Sequence, residues 1–268
     1  MKGDKLAPST FLSKRNIEGE SMVSKVKVGL IGCGAIGTVL AEAIERKLVV
    51  CDELVVYDFE SWKAQKLKST IKFPVTIADG IEDLIAVKPK VIVEAASQQA
   101  AKEYVPKIVL AGIELIVMST GALLDLDVDL SKVHVPSGAI GGLDALSSAA
   151  LAGIDEVVLT SRKNPKAFGV DNREEKVMYE GVAEEAARKF PREMNVAATL
   201  ALTVKPTKVK VKVIADPKVQ RNTHEIAVKW QFGEMSLRFA NDSHPDNPHT
   251  SALAAWAAIK LLQTLLKT

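Results

Sequence analysis

The stretch VKVGLIGCGAIGTVLAEAI, residues 26–44, decides the fold because it joins an apolar run to a helix-forming run through three glycines. VKVGLI is short and rich in β-branched residues, whereas TVLAEAIERKL consists of good helix formers. Gly32, Gly34 and Gly37 therefore stand at a strand-to-helix turn with the spacing G-x-G-x-x-G. This combination is typical of the phosphate-binding turn of a dinucleotide-binding fold.

Each glycine of the turn has its own role in this interpretation. Gly32 permits the tight bend, Gly34 lets the backbone approach a pyrophosphate, and Gly37 lets the helix pack close to the strand. The free N–H groups at the start of the helix would face the anion. We therefore expect these residues of the turn to bind a cofactor: Gly32, Gly34, Ala35, Ile36 and Gly37.

The next predicted strand, ELVVYD, ends in Asp58. This residue follows the last glycine by about 20 positions, where a carboxylate accepts hydrogen bonds from the adenosine ribose. Because such a carboxylate repels a 2′-phosphate, the sequence favours NAD over NADP. Lys63 and Lys66 would soften the repulsion if they turned inward, so the use of both cofactors stays open. The simpler alternative is that Asp58 caps a surface loop.

The composition points to a small-molecule partner. The 268 residues are 47% hydrophobic, 35 basic residues nearly balance 33 acidic ones, and aromatics make up 5%. Neither a basic footprint nor a set of stacking aromatics indicates nucleic acid, and no apolar run approaches the length of a membrane span. Cys33 and Cys51 are the only cysteines, which favours a reduced, cytoplasmic location and offers no metal site. The helix start could lower the thiol pKa of Cys33, but a small turn residue is the simpler explanation.

The order of predicted elements indicates an α/β protein with two domains. Strands and helices alternate through residues 25–140, which predicts a parallel, doubly wound Rossmann domain. Strands with alternating polar and apolar residues predict an α+β catalytic and dimerisation domain over 141–245. The segment 246–268 contains a helix that we expect to pack back onto the Rossmann domain. Residues 1–24 are polar and lack the apolar region of a secretory signal, so we expect a flexible extension.

Three segments that follow strands are rich in small residues. They are EAAS (94–97), STGAL (119–123) and PSGAIGG (136–142). In a doubly wound sheet the ligand lies outside the carboxyl ends of the strands, and small residues let the backbone approach a flat ring. Tight turns explain any one of them equally well. We therefore add Ala96 and Ser97 to the expected cofactor contacts and place the active site in the cleft between the domains.

Only four histidines are present as candidates for proton transfer. His224, in VQRNTHEIAVKW, begins a predicted strand beside Asn222 and Glu225, from which an imidazole could reach a cleft. Judged by position alone, a surface histidine on a strand is the slightly simpler explanation. His249 lies near the start of the last helix, next to Thr250, where backbone N–H groups are free.

Several segments resemble, in the same order, the L-aspartate dehydrogenase family of archaea and bacteria. They are GLIGCGAIG, VIVEAAS, LIVMSTGAL, VPSGAIGGLDAL, SRKNP, PREMNVAATLAL, ADPKVQRNTHEI and NPHTSALAA. The likeness runs from about residue 25 to the C-terminus, and its later segments are not shared by Rossmann proteins in general. The resemblance implies NAD(P)-dependent oxidation of L-aspartate to iminoaspartate, which hydrolyses to oxaloacetate and ammonia or supplies quinolinate synthesis for NAD. It also implies a homodimer.

The resemblance carries over to individual residues. It implies that His224 is the active-site histidine and that Ala122 and Asn195 contact the cofactor. Ala122 follows a strand end, where a small side chain would leave room for the nicotinamide. Asn195 opens the helix NVAATLAL and offers both an amide donor and an acceptor, although a helix N-cap role would also suit it. For the substrate carboxylates we expect Ser137, Arg162, Lys163, His249 and Thr250. A solvated surface charge explains Arg162 equally well.

One departure from the family pattern concerns His249. The family usually has a lysine at this place in the segment N-P-x-T-S, so the charge here would depend on pH. Affinity for cofactor or substrate would then fall as pH rises.

Two alternative functions stay open on the sequence. One is a reductase of the dihydrodipicolinate-reductase type, although the histidine-histidine-lysine cluster of that family is not found. The other is a dinucleotide sensor without catalysis.

Overall fold

The computed structural model describes residues 25–192, 194–244 and 247–267, without the side chains of 247–249. The predicted extension over residues 1–24 lies outside the described residues.

The N-terminal half forms a parallel sheet. Its strands are β1 (Lys27–Ile31), β2 (Glu53–Tyr57), β3 (Val75–Ile77), β4 (Val91–Glu94), β5 (Glu114–Val117) and β6 (Val133–His134). Their order across the sheet is β3-β2-β1-β4-β5-β6, and every pairing is parallel. The order reverses between β1 and β4, as in doubly wound dinucleotide-binding folds. The predicted Rossmann class is therefore confirmed.

Helices accompany both halves of the chain. They are α1 (Ala35–Glu45), α2 (Ser61–Thr70), α3 (Ile81–Ala86), α4 (Gln98–Leu110), α5 (Leu143–Ala152), α6 (Ala183–Lys189), α7 (Asn195–Thr203) and α8 (Ala252–Leu266). Short 3-10 turns cover Thr120–Leu124 and Pro165–Phe168. Within the described ranges, no helix has the combination of length and apolar character that crossing a membrane requires.

The C-terminal half forms a mixed sheet with its own core. Its strands are β7 (Ile154–Lys163), β8 (Lys176–Val182), β9 (Val209–Ala215), β10 (Asn222–Trp230) and β11 (Gly233–Asn241). They lie in the order β11-β10-β7-β9-β8, and only the β7–β9 pairing is parallel. Two short strands, β12 (Ser243–His244) and β13 (Asn247–Ser251), pair before α8. The second sheet agrees with the predicted α+β half.

The last helix returns to the parallel sheet. Ile259 and Leu262 on α8 are buried in the same hydrophobic core as Val28 and Leu40, from β1 and α1. Complete burial of one such side chain is worth about 1.5–3 kcal/mol, so these contacts hold the helix firmly. The prediction that the C-terminal helix packs on the first half of the chain is confirmed.

The turn between β1 and α1 has no room for side chains at two of its glycines. Gly32 has φ +93°, and a Cβ on it would lie 2.6 Å from the Ala95 carbonyl oxygen. A Cβ on Gly37 would lie 2.1 Å from the Gly32 carbonyl oxygen. Gly34 differs because it is exposed and a Cβ there would meet nothing within 4 Å. Packing therefore requires glycine at positions 32 and 37, whereas Gly34 leaves space above the turn.

We expect Gly37→Ala to lower the free energy of unfolding by about 1–3 kcal/mol, because the added methyl group must displace backbone. Thermal unfolding followed by circular dichroism measures the effect. Gly34→Ala is the matched control and should unfold at the temperature of the unsubstituted protein. Equal melting temperatures for Gly37→Ala and the unsubstituted protein would contradict the close approach of α1 to the turn.

Candidate active site

A cavity of about 700 Å³ lies between the carboxyl ends of the parallel strands and the mixed sheet. Its size falls within the range of about 300–1,000 Å³ that is usual for small-molecule sites. It is bordered by the start of α1, the turns after β4 and β5, strands β7 and β10, and the residues before α8. The cavity therefore lies where a doubly wound sheet places its ligand.

The start of α1 provides an anion site at one side of this cavity. Gly34, Ala35 and Ile36 line it, while the buried Gly32 and Gly37 lie behind them. No side chain caps the helix and its first turn contains no acidic residue, so its N–H groups and dipole are open to an anion. Because a Cβ on Gly34 would point into open space, the region suits the pyrophosphate of a dinucleotide.

Asp58 is fixed beside this turn by backbone hydrogen bonds. Its carboxylate accepts from the N–H of Cys33 at 2.7 Å and from the N–H of Glu60 at 2.9 Å. Lys63 lines the cavity and forms an ion pair with Glu60. Lys66 is exposed and does not border the cavity.

Cys33 is not an activated thiol. Burial, reinforced by the Asp58 carboxylate, raises its pKa to about 12. These two effects outweigh any influence of the helix start, so the thiol stays protonated and Cys33 serves as a small residue of the turn.

The turns after β4 and β5 form the floor of the cavity. Ala96 and Ser97 line it, and the Ser97 hydroxyl caps α4 by accepting from the N–H of Ala100 at 3.1 Å. Beneath them, the fully buried Glu94 carboxylate accepts from the N–H of Ala96 at 2.8 Å and from the N–H and hydroxyl of Ser119 at 3.0 and 2.9 Å. Burial raises the pKa of Glu94, and these hydrogen bonds oppose the rise. The sequence analysis missed Glu94, although a charged residue that ends an apolar strand was a visible signal.

Asn195 lines the cavity at the start of α7 and connects the two sheets. Its Oδ1 accepts from the N–H of Gly121 and from Gln98 Nε2, both at 3.2 Å. Its backbone carbonyl accepts from the Thr120 hydroxyl at 2.9 Å. The alternative N-cap role does not apply, because the N-cap position is Met194. Since Oδ1 is occupied, the Nδ2 group remains for a ligand.

The structure does not bring Ala122 to the cavity. The 3-10 turn after β5 directs this residue back into the core, where it is completely buried among Leu115 and Val117. Its neighbours Thr120 and Gly121 make the contacts with Asn195 instead.

His224 borders the cavity from β10. Its ring Nδ1 lies 2.9 Å from the hydroxyl of Ser161, the residue opposite it on β7. The residue is 1% exposed, so the surface-histidine alternative is wrong. Burial and the nearby Lys163 ammonium lower the pKa of His224 to about 3, which keeps the imidazole neutral at physiological pH. Among the described residues, the ring Nε2 has no hydrogen-bond partner.

Lys163 and Arg162 lie on opposite faces of β7, because successive side chains of a strand alternate. Lys163 is 2% exposed and lines the cavity. Arg162 points to the other face, where its Nη1 lies 2.9 Å from Glu175 Oε2 and 3.5 Å from Asp216 Oδ2. The expected pair of substrate contacts is therefore divided, and only Lys163 reaches the cavity.

The other three residues expected to contact the substrate do not all border the cavity among the described side chains. Ser137 and Thr250 line the cavity, whereas the side chain of His249 lies outside the described residues. Arg192, which the sequence analysis did not single out, also borders the cavity from the loop before α7. The described part of the chain contains no group of three or more His, Cys, Asp or Glu side chains arranged to hold a metal ion.

The depressed pKa of His224 predicts that this ring does not titrate between about pH 5 and pH 8, unlike an ordinary histidine. Because its pKa of about 3 lies below the usual 6.5, the contribution of His224 to the free energy of unfolding is fully present above pH 6.5 and is lost as pH falls from 6.5 towards 3. Ring C–H chemical shifts from NMR test this, with His224→Gln identifying the signal that stays constant. A His224 signal that titrates near pH 6.5 would contradict the buried environment.

Family models match most of the chain. Residues 144–265 match the model described as aspartate dehydrogenase, C-terminal, and residues 32–134 match the NAD binding domain of homoserine dehydrogenase. The L-aspartate dehydrogenase of Archaeoglobus fulgidus is 44% identical over 249 residues, which cover 89% of this chain and 97% of that protein. The L-aspartate dehydrogenase of Methanothermobacter thermautotrophicus is 40% identical over 252 residues, with coverages of 89% and 95%.

Solved structures show the same relationship. The aspartate dehydrogenase of Thermotoga maritima superposes with a TM-score of 0.69 at 30% identity, covering 90% of this chain and 96% of that chain. A myo-inositol dehydrogenase from Corynebacterium glutamicum gives a TM-score of 0.53 at 13% identity, with coverages of 91% and 88%. The second similarity shows a shared fold alone.

Proposed function

The chain belongs to the L-aspartate dehydrogenase family, and we propose that the residues around its cavity perform the reaction of that family. The protein is an NAD(P)-dependent oxidoreductase that oxidises L-aspartate at its amino-bearing carbon to iminoaspartate. Iminoaspartate either hydrolyses to oxaloacetate and ammonia or supplies quinolinate synthesis. One observation carries the residue assignment: a buried neutral histidine and a buried lysine share a cavity with a glycine-rich turn.

The cofactor would lie across the parallel sheet. The N–H groups of Ala35 and Ile36 would hold its pyrophosphate, Asp58 its adenosine ribose, and the Nδ2 group of Asn195 its carboxamide. When bound there, NAD(P) supplies the hydride acceptor. We propose that NAD is preferred because Asp58 opposes a 2′-phosphate. Lys63, which borders the same cavity, keeps NADP usable by offsetting part of that repulsion.

The substrate would lie against the mixed sheet. L-Aspartate carries two carboxylates, and we propose that the Lys163 ammonium pairs with one of them. Ser137 and Thr250, which also line the cavity, would supply hydrogen-bond donors for the other carboxylate. This arrangement holds the amino-bearing carbon between the nicotinamide end of the cofactor site and His224.

His224 would move the proton. In the tautomer that suits this role, Nδ1–H donates to the Ser161 hydroxyl oxygen and the Nε2 lone pair faces the substrate. The neutral ring can then accept a proton from the substrate nitrogen or from the water that attacks the imine. In the protein without substrate, burial and the Lys163 ammonium lower the pKa of His224. A bound dicarboxylate would offset the Lys163 charge and so raise that pKa. Substrate binding therefore makes His224 a stronger base.

The alternatives are less well supported. Neither a reductase of the dihydrodipicolinate type nor a non-catalytic sensor is favoured, because aspartate dehydrogenases match most of the chain.

We also propose the domain division, the assembly and the location. Residues 25–140 with 246–268 would form the cofactor domain, and 141–245 the catalytic domain.

Helices α6 and α7 pack on one face of the mixed sheet, and the other face carries ion pairs such as Lys210–Glu156. We propose that this second face joins two copies in a homodimer. Two free cysteines favour the cytoplasm.

We expect His224→Ala to reduce kcat by a factor of about 10²–10⁴, the usual contribution of a proton-transfer group. NADH affinity, measured by fluorescence titration, should stay unchanged because His224 lies on the substrate side of the cavity. Turnover is measured by NADH absorbance with L-aspartate beside D-aspartate, L-glutamate and L-malate, with NAD and with NADP. Full activity in folded His224→Ala would refute the assigned role. Failure of the unsubstituted protein to turn over L-aspartate, or oxaloacetate with ammonia, would refute the activity itself.

The two faces of β7 provide a matched pair of variants. Loss of a hydrogen bond to a charged group costs about 1.5–3 kcal/mol, so Lys163→Met should raise the KM for L-aspartate roughly 10- to 150-fold. Arg162→Met removes the neighbouring charge from the opposite face and should leave that KM unchanged. Steady-state kinetics on both variants, with melting temperatures as a check on folding, decide the question. An unchanged KM in folded Lys163→Met would show that the substrate carboxylates are held elsewhere.

A further inference from the structure

We propose that Gln98 is a positioning residue that fixes the side-chain amide of Asn195, so that its Nδ2 donor faces the cofactor. The inference rests on the proposed role of Asn195 as a cofactor contact. Gln98 is the first residue of α4 on the parallel sheet, and Asn195 is the first residue of α7 on the mixed sheet. Their contact joins the two halves of the active site.

The side-chain amide of Gln98 has a determined orientation. Its Nε2 group donates to the Pro191 carbonyl at 3.1 Å and makes a longer contact of 3.5 Å with the Ala187 carbonyl. Backbone carbonyls can only accept, so the nitrogen of Gln98, and not its oxygen, must face this loop. The same nitrogen then donates to Asn195 Oδ1 at 3.2 Å.

Two donors in turn determine the orientation of Asn195. The Gly121 N–H can only donate, and it meets Oδ1 at 3.2 Å, the same oxygen that accepts from Gln98 Nε2. A rotation of the Asn195 amide by half a turn would place its NH₂ group against both donors. The oxygen therefore stays on the protein side, and Nδ2 remains for an acceptor such as a carboxamide oxygen.

Gly121 gives independent support through its shape. A Cβ at this position would lie 2.0 Å from Gln98 Nε2. Gly121 does not have a positive φ, so backbone conformation alone does not demand glycine here. The missing side chain is what lets Gln98 reach Asn195. This contact also explains a glycine in the 3-10 turn after β5 that the cofactor site itself does not use.

The arrangement predicts which step Gln98 influences. An Asn195 amide that is free to rotate presents its donor to the cofactor for only part of the time. Cofactor affinity should therefore fall, whereas the Lys163 and His224 side of the cavity keeps its geometry. A role limited to fold stability would instead lower the melting temperature without separating the two KM values.

The test uses the full-length enzyme in Gln98→Ala, Gly121→Ala, Asn195→Ala and the two double variants that contain Gln98→Ala. We expect Gln98→Ala to raise the NADH Kd and the KM for NAD about tenfold, the equivalent of one hydrogen bond, with the KM for L-aspartate unchanged. Gly121→Ala should raise the NADH Kd by at least the same factor. Adding Gly121→Ala to Gln98→Ala should cost little more, because the clash has been removed. Adding Gln98→Ala to Asn195→Ala should likewise leave the NADH Kd unchanged.

Each outcome has a defined meaning. Normal NADH binding by Gln98→Ala, together with weak binding by Asn195→Ala, would overturn the inference and leave the role of Asn195 intact. Normal binding by Asn195→Ala would refute the cofactor contact itself. Equal increases in the KM for NAD and the KM for L-aspartate, together with a lower melting temperature, would show that Gln98 has a structural role only. If Gln98→Ala fails to fold, Gln98→Met keeps the volume and removes the donor, and the same expectations apply.

Discussion

The buried carboxylate of Glu94 is the interaction on which the active site depends. It ends β4 and accepts hydrogen bonds from Ala96 and Ser119, which belong to the turns after two neighbouring strands. Burying a carboxylate is costly unless several donors surround it, and here backbone and hydroxyl donors offset that cost. Because Thr120 follows Ser119 and contacts Asn195, the same carboxylate supports the junction with the mixed sheet.

The two sheets contribute different chemistry to the cavity. The parallel sheet supplies small residues and backbone N–H groups around Gly34, which suit a large ligand with a pyrophosphate. The mixed sheet supplies the titratable side chains Lys163 and His224 on adjacent strands. Burial and the Lys163 ammonium keep the histidine neutral, and a neutral imidazole is what a proton acceptor requires.

Local patterns made much of the fold predictable, because a glycine turn and the strand and helix periodicities lie within short stretches of sequence. The residues of the active site were harder to predict from the sequence. Resemblance, and not spacing, singled out His224 and Asn195. Ser119, a partner of Glu94, lies 25 positions from it, and Asn195 lies 97 positions from Gln98, so no local pattern indicates these contacts. The alternation of β7 separates Lys163 from Arg162, but which face borders the cavity depends on pairing with β10.

The return of α8 to the parallel sheet has a consequence for biosynthesis. Ile259 and Leu262 complete a core whose other members, such as Val28 and Leu40, leave the ribosome more than 200 residues earlier. The first half of the nascent chain therefore carries an uncovered apolar surface until α8 has been synthesised. The intervening mixed sheet therefore has the opportunity to form before the core of the preceding parallel sheet is complete.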